Sequence, residues 1–147
     1  MKTDEFLPLM RDMYDVISGP AGQRDWERFR SAYHPQARLI RVNGRADRGQ
    51  PAQTGSGDQR CVIMSVDEYI AGAGALFAKF DFREEEISHE AQVYGDVADV
   101  RSGFHAWLNR GAQPEEWSGV NCLQLVRAHD GWKVLQMIWD AEAGTGA

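Results

Sequence analysis

The chain has little of what marks secreted, disulfide-bonded or membrane-spanning proteins. It carries only two cysteines, Cys61 and Cys122, which stand in different contexts and follow no metal-ligand spacing, so we expect two reduced thiols. No apolar run approaches the roughly 20 residues that a membrane helix needs. The start of the chain, MKTDEFLPLMRDMYD, is interrupted by acidic residues and lacks a secretory pattern. These absences favour a cytoplasmic protein without membrane contact.

Basic residues are also in deficit. The chain has 16 lysines and arginines against 22 aspartates and glutamates, which gives a net charge of -6. Nucleic acids and anionic membranes bind through basic surface, so neither is expected as a partner. With 147 residues, 43% of them hydrophobic and 26% charged, the chain has the balance of one ordinary globular domain rather than a disordered segment. We expect a single domain over residues 1–147.

Several motifs that mark cofactor-dependent chemistry are missing. The sequence contains no glycine-rich phosphate loop, no nucleophile elbow and no helical zinc motif. We therefore expect a protein that uses neither a cofactor nor a metal.

Helical periodicity is confined to the first half of the chain. Apolar residues at helical spacing predict one helix over residues 3–17 and a second over residues 23–33. The second helix ends at His34 because the following proline pushes the residue before it out of helical geometry. Ser65 and Glu68 form a capping box, which predicts the start of a third helix.

Strand-forming residues dominate the second half. A short strand is predicted at residues 37–42, and the loop after it, residues 43–59, is either a flap near a pocket or a disordered excursion. The acidic run at residues 84–86 opens a predicted edge strand, where charge deters pairing with another sheet. Long strands are predicted at residues 82–94, 97–108, 117–129 and 132–141, with a tight hairpin turn at 94–96 and a longer turn at 109–116.

Alternation along the strand at residues 97–108 separates two faces. One face is apolar or small and suits the interior, whereas the other carries charge and suits solvent or a dimer seam. A bulge at Gly103 would swap the faces midway. The first set is Ala98, Val100, Ser102, Phe104 and Ala106, and the second is Asp99, Arg101, Gly103, His105 and Trp107.

The last strand is apolar on both faces, so both faces need a cover. Helices supply one cover, and a second subunit would supply the other, which predicts a homodimer. The alternative is that Trp139 packs under the chain terminus. Strict alternation assigns Val134, Gln136 and Ile138 to one face and Leu135, Met137 and Trp139 to the other.

The order helix, helix, short strand, helix and four-stranded meander resembles that of the nuclear transport factor 2-like (NTF2-like) superfamily. Three strings strengthen the resemblance to its SnoaL-like and ketosteroid isomerase-like members: SGPAGQRDWERFRSAYHPQARLI, VIMSVDEYI and GVNCLQLVRAHDGWKVLQMIWDAE. The resemblance implies an α+β fold in which a strongly curved mixed β-sheet forms a cone around three N-terminal helices. It further implies a pocket at the wide end and dimers through the outer sheet face. The residues expected to line that pocket are Tyr33, Phe77, Val100, Phe104 and Leu123.

The resemblance to ketosteroid isomerase implies one set of candidate catalytic residues. Tyr14 on the first helix and Asp99 on the middle strand would hold a developing oxyanion. The base is missing from this set, because the strand at residues 37–42 has no acid and the nearest one is Asp47 in the loop. An epoxide hydrolase set would need Asp99, Arg101 and Asp140, but a surface ion pair explains the first two more simply.

A dehydratase or cyclase would instead use a histidine as general acid or base. His34 and His105 are the candidates. His34 has the alternative role of a helix cap or a core contact. His89 and His105 lie on neighbouring predicted strands and could face each other across the sheet, with the alternative role of outward-facing polar residues or dimer contacts. His129 lies in a predicted turn and is expected to be solvated.

Two functions remain open from the sequence. The first is binding of a small, largely apolar molecule with cofactor-independent acid/base chemistry of the cyclase, dehydratase or isomerase type. The second is a non-catalytic ligand-binding or protein-interaction module. Convergence of two or more titratable side chains in one enclosed pocket would separate them. The candidate catalytic residues are Tyr14, His34, Asp99 and His105.

Overall fold

One six-stranded sheet forms the frame of the computed structural model, which describes residues 3–42 and 61–141. The strand order is β2-β1-β6-β5-β4-β3, in which β1 and β6 run parallel and every other neighbouring pair runs antiparallel. The predicted α+β fold with a curved mixed sheet is confirmed. The helices are α1 (Leu7–Ile17), α2 (Trp26–Ser31) and α3 (Val66–Lys79), and the strands are β1 (Tyr33–Val42), β2 (Cys61–Ser65), β3 (Asp81–Tyr94), β4 (Val97–Asn109), β5 (Glu115–Ala128) and β6 (Gly131–Ala141).

Local sequence explains where the helices begin. Pro8 lies in the first turn of α1, where its missing N–H costs least. The Asp25 side chain accepts a hydrogen bond from the Arg28 N–H at 3.1 Å and caps α2. The predicted capping box of α3 is confirmed: Ser65 Oγ accepts from the Glu68 N–H at 3.1 Å, and the Glu68 carboxylate accepts from the Ser65 N–H at 2.9 Å. No helix of the described residues is long and apolar enough to cross a membrane.

The first two strands differ from the prediction. β1 begins at Tyr33, so α2 is shorter than the predicted helix over residues 23–33. Tyr33 aligns with Val134 of β6, whose N–H donates to the Ala32 carbonyl at 2.9 Å, and this pairing draws the chain into the sheet. β2 was not predicted, because it is short and pairs only with β1. The predicted loop at residues 43–59 lies outside the described residues, as does Asp47.

The helices cover one face of the sheet and enclose the core. α1 packs on β3, while α3 packs on β1 and β2. Full burial of each large apolar side chain contributes about 1.5–3 kcal/mol to stability. The most deeply buried apolar side chains are Phe6, Met10, Leu39, Val100, Leu123 and Val134.

The predicted faces of β4 are confirmed. Alternate residues from Ala98 to Leu108 are buried toward the helices, whereas Asp99 and Arg101 are exposed on the outer face. The irregularity lies in β3 rather than in β4, where the register shifts between Glu86 and Ser88 opposite Gly103. The alternation of β4 therefore runs unbroken past Gly103.

The predicted faces of β6 are wrong beyond Val134. The register with β5 shifts between Gln124 and Leu125, so Leu135 is an extra residue and the alternation changes phase there. Val134 and Met137 both pair with buried residues of β5 and share the inner face. Trp139 joins them, because its ring meets Tyr69 of α3 at 6.1 Å. The helix layer thus covers Trp139, and the chain terminus predicted as its alternative cover lies outside the described residues.

Candidate active site

Two glutamates of β3 face the interior. Glu84 and Glu86 pair across the sheet with the buried residues Ala106 and Phe104 of β4, and they share the face of buried Phe82. Glu85 lies between them and is exposed on the outer face. The acidic run at residues 84–86 was predicted to deter pairing of an edge strand with another sheet. Only Glu85 is exposed and fits that prediction. The period of two along a strand separates the three carboxylates.

A row of polar side chains crosses the inner face beside these glutamates. Asn121 of β5, Ser102 of β4 and His89 of β3 are cross-strand neighbours. Ser102 and Asn121 are almost fully buried, at 0% and 5% exposure. Buried polar groups are costly unless they are hydrogen-bonded, so this row needs internal partners.

Tyr14 of α1 and Glu86 of β3 supply those partners. The Tyr14 hydroxyl lies 2.7 Å from Ser102 Oγ and accepts a hydrogen bond from Asn121 Nδ2 at 2.9 Å. Ser102 donates to Glu86 Oε2 at 2.5 Å, and His89 Nδ1 lies 2.8 Å from the same oxygen. A continuous chain of hydrogen bonds therefore runs from Asn121 through Tyr14 and Ser102 to Glu86 and His89.

Glu84 is the carboxyl group with the most perturbed pKa. Burial raises the pKa of Glu84 from 4.5 to about 8, and a hydrogen bond from Asn121 opposes the rise in part. Although protein atoms crowd its carboxyl group, the residue keeps part of its surface accessible.

The charge of Glu84 acts on three tyrosines. Burial raises the pKa values of Tyr14, Tyr33 and Tyr69, and the charge of Glu84 raises each of them further. An ionised Glu84 therefore disfavours tyrosinate formation nearby, so these hydroxyls stay protonated at neutral pH. Glu84, Tyr14 and Asn121 are thus the polar groups that converge in the interior.

Several inner-face residues near Glu84 keep accessible surface. Glu84 pairs with Ala106 of β4, which in turn pairs with Trp117 of β5, and Trp117 is partly accessible. Gly119 follows on the same inner face of β5, so one position there has no side chain to fill it. Tyr69, Trp117 and Trp139 are partly accessible aromatic residues.

The predicted catalytic residues do not assemble. Tyr14 is inside, but Asp99 and His105 lie on the outer face because they alternate with Ser102 on β4. His105 contacts Ser118 Oγ and a carboxylate oxygen of Glu116, each at 2.7 Å. The prediction that Tyr14 and Asp99 act together is therefore wrong, because Asp99 lies on the outer face. The β4 residue that contacts the Tyr14 hydroxyl is Ser102.

The remaining histidines also differ from expectation. His34 Nδ1 accepts a hydrogen bond from the Gln36 N–H at 3.0 Å, which is a local contact at the start of β1. His89 was read as outward-facing, but the register shift at Ile87 turns it inward. His89 and His105 thus lie on opposite faces and cannot meet across the sheet.

The five predicted ligand-binding residues are all buried on the inner side. The Tyr33 ring lies 4.9 Å from that of Phe29, and the Phe77 ring stacks at 4.4 Å on that of Phe82. These contacts make the two residues part of the core, and their contact with a ligand stays a prediction. The same holds for Val100, Phe104 and Leu123.

Sequence reasoning missed Glu84, Glu86 and Asn121. Glu84 and Glu86 share the alternation of Phe82, and Asn121 shares that of Leu123, so face assignment of β3 and β5 would have found them. No local signal exists for His89, because its face depends on the bulge.

An open groove of about 520 Å³ lies where β3 begins and β4 ends, and Glu84 directly follows its lining residue Arg83. Asp81 and Arg83 are its charged residues. Asp81 accepts a hydrogen bond from the Ala21 N–H at 2.9 Å, and the Arg83 guanidinium lies 4.2 Å from the Trp107 ring centroid. Both charges are already engaged, so the groove offers no converging acid/base groups. The described residues contain no group of three or more potential metal ligands.

Comparisons with known proteins identify the fold. No family model and no curated protein matches the sequence. A Kribbella flavida protein, Kfla4162, is similar in structure with a TM-score of 0.71 and 15% identity, covering 95% of this chain and 90% of that one. An NTF2-like superfamily protein from Salmonella enterica has a TM-score of 0.64 and 13% identity, covering 99% and 91%. A candidate dehydratase of the NTF2-like family from Streptomyces avermitilis has a TM-score of 0.59 and 18% identity, covering 92% of each chain. The chain has the NTF2-like fold.

Proposed function

We propose that this protein binds a small, largely apolar molecule inside its NTF2-like fold and transfers a proton on it without a cofactor. The observation that carries the proposal is the environment of Glu84. Its inward carboxyl group lies beside Asn121 and raises the pKa values of three tyrosines, and burial raises its own pKa to about 8. A group with such a pKa both holds and releases a proton near neutral pH, as general acid/base catalysis requires.

The reaction class follows from this group. As a carboxylate, Glu84 would take a proton from a carbon next to a carbonyl group, and the C–H electron pair would form the enolate. Isomerisation returns that proton to a different carbon, whereas dehydration expels a hydroxyl group that takes up a proton as it leaves. The Streptomyces neighbour is a candidate dehydratase, which agrees with this class, although a shared fold does not assign a reaction.

Deuterium exchange tests the proposal without knowledge of the natural substrate. Cyclohexanone in deuterium oxide should exchange its α-hydrogens faster with the protein than without it, as followed by proton NMR. Glu84→Gln should slow the catalysed exchange about 100-fold or more, because a general base of this kind contributes that much. The matched control is Glu85→Gln on the outer face, which should exchange like the wild type. Equal rates for Glu84→Gln and the wild type would refute the role of Glu84.

The alternative is a non-catalytic ligand-binding or protein-interaction module. The dense aromatic packing of Tyr33 and Phe77 favours it, because both rings are engaged by neighbouring rings. Under this alternative, an apolar fluorescent probe binds the wild type and Glu84→Gln equally, and neither protein accelerates exchange.

We also propose a homodimer through the outer sheet face. Ile63, Ile40, Ile138 and Cys122 form one cross-sheet row on that face, and Ile63 is 61% exposed. Covering such a row with a second copy would remove apolar surface from water. Ile138→Arg should give a monomer in sedimentation velocity, whereas Val97→Arg, near the β3–β4 turn, should leave the dimer intact. A wild-type monomer would refute the dimer.

The cytoplasmic location and the absence of nucleic-acid partners stay predictions.

A further inference from the structure

Two hydrogen-bond donors converge on one oxygen of Glu86. Ser102 Oγ lies 2.5 Å from Glu86 Oε2 and His89 Nδ1 lies 2.8 Å from it. A carboxylate only accepts hydrogen bonds, and short contacts of this kind are typical of charge-assisted ones. Ser102 Oγ and His89 Nδ1 must therefore both donate a hydrogen bond to Glu86.

This requirement sets the direction of the rest of the chain. Ser102 has one hydroxyl proton, which it donates in the hydrogen bond to Glu86. Ser102 can therefore only accept a hydrogen bond from the Tyr14 hydroxyl at 2.7 Å. Tyr14 in turn accepts from Asn121 Nδ2 at 2.9 Å. The Tyr14 proton is thus committed to Ser102 and is withheld from anything else that approaches Tyr14.

The state of His89 follows from the same carboxylate. Its Nδ1 carries the proton that Glu86 accepts, because one imidazole nitrogen is fixed by the hydrogen bond that it makes. The side chain is 8% exposed, and Nε2 has no hydrogen-bond partner among the described residues. The contact with Glu86 through Nδ1 holds this ring in place.

We infer that Glu86 is a positioning residue that makes Tyr14 a hydrogen-bond acceptor toward a bound molecule. Because the Tyr14 proton points to Ser102, the free lone pair of the phenol oxygen favours ligands with a hydroxyl donor over ligands with only an acceptor. The inference rests on the proposed function for the presence of a ligand beside Tyr14. It goes beyond that function by naming the ligand class, a hydroxyl-bearing molecule, and the residue that selects it.

Removing the charge of Glu86 should free the Tyr14 hydroxyl proton from its hydrogen bond to Ser102. In Glu86→Gln, the new amide can donate to Ser102, after which Ser102 can donate to Tyr14 and the tyrosine proton becomes free. Ser102→Ala breaks the same link at a different point and keeps the Glu86 charge. The two variants should therefore have the same effect on Tyr14 and different effects on His89.

NMR of protein labelled at histidine nitrogens and at the tyrosine ring carbons tests the direction without any ligand. The wild type should show the His89 ring with a proton on Nδ1. Glu86→Gln should shift both the His89 nitrogens and the Tyr14 ring carbon that bears oxygen, whereas Ser102→Ala should shift mainly Tyr14. The exposed control Glu85→Gln should shift neither. A wild-type His89 protonated on Nε2 alone, or a Tyr14 signal unchanged in both variants, would overturn the inference.

A pair of fluorescent probes tests the ligand class. Naphthol has a hydroxyl donor that methoxynaphthalene lacks, and it should bind the wild type at least about tenfold more tightly. Glu86→Gln should lose this preference while it still binds methoxynaphthalene. Equal affinity of the wild type for the two probes would overturn the selection of hydroxyl ligands. Failure of both probes to bind would count against the ligand site itself and so against the proposed function, and NMR would still decide the role of Glu86.

Discussion

Glu84→Gln is expected to stabilise the protein at alkaline pH and to leave its stability near pH 5 almost unchanged. The reason is the pKa of Glu84, which burial raises from 4.5 to about 8. Between these two values the folded protein keeps the carboxyl proton, whereas the unfolded chain has lost it. The folded state binds more protons in this window, so stability falls as the pH rises through it.

The magnitude follows from the size of that pKa change. Each pH unit in the window costs about 1.4 kcal/mol of unfolding free energy, so the full change corresponds to roughly 5 kcal/mol. Water that reaches the accessible part of Glu84 reduces this figure, and we expect about 3–5 kcal/mol of lost stability above pH 8. Glutamine is uncharged at every pH and has nearly the same shape, so the variant escapes the loss.

Urea denaturation of the wild type and of Glu84→Gln, at about pH 5 and at about pH 9, measures the effect. Stability differences that arise from other titrating groups cancel between the two proteins at each pH. Glu85→Gln is the matched control, because this exposed neighbour should behave like the wild type at both values.

Parallel stability curves for the wild type and Glu84→Gln would refute the reasoning. They would mean that Glu84 has a similar pKa in the folded and unfolded states and is well solvated in the fold. The role proposed for it in proton transfer near neutral pH would then lose its physical basis.

Three further substitutions test the packing and the caps. Ser65→Ala removes the hydroxyl that accepts from the Glu68 N–H and should cost about 1 kcal/mol in urea denaturation, whereas Ser65→Thr should keep most of it. Phe77→Ala should cost about 3–5 kcal/mol in the same assay, because its ring is 3% exposed, and a smaller loss would mean that the site collapses around the cavity. Gly103→Ala places a methyl group against Ser88 Oγ, so it should cost less in a Ser88→Ala background by about 0.5–3 kcal/mol. Additive effects at these two positions would contradict the close contact.

The inner and outer faces of β4 and β6 show what the alternation within a single strand predicts and what it misses. The alternation of β4 correctly separated buried Ser102 and Phe104 from exposed Asp99 and Arg101, because β4 has no bulge. The same reasoning failed for β6, where the extra residue Leu135 changes the phase. Whether a strand contains a bulge depends on the strand that it pairs with, which a single-strand pattern does not show.

The candidate site depends even more on contacts between distant segments. Tyr14 was predicted from the first helix, but its partners Ser102 and Asn121 stand 88 and 107 positions away in the chain. Asp99 seemed the natural acid on the middle strand, and it faces outward. Glu84 and Glu86 belong to the acidic run that was predicted to deter pairing of an edge strand, whereas packing of α1 on β3 covers the face on which they lie.

The sequence by itself indicated the three helices, the capping box of α3 and the meander of β3 to β6, because these depend on short-range periodicity and on residues at turns. The NTF2-like fold was implied by the resemblance of this element order and of three sequence strings to that superfamily. Only the tertiary structure decided which polar groups share the interior. Packing of α1 on β3 and the bulge at Ile87 bring Tyr14, Ser102, Glu86 and His89 together. The hydrogen bonds among them and the raised pKa of Glu84 arise from burial, and burial exists only once the distant segments have met.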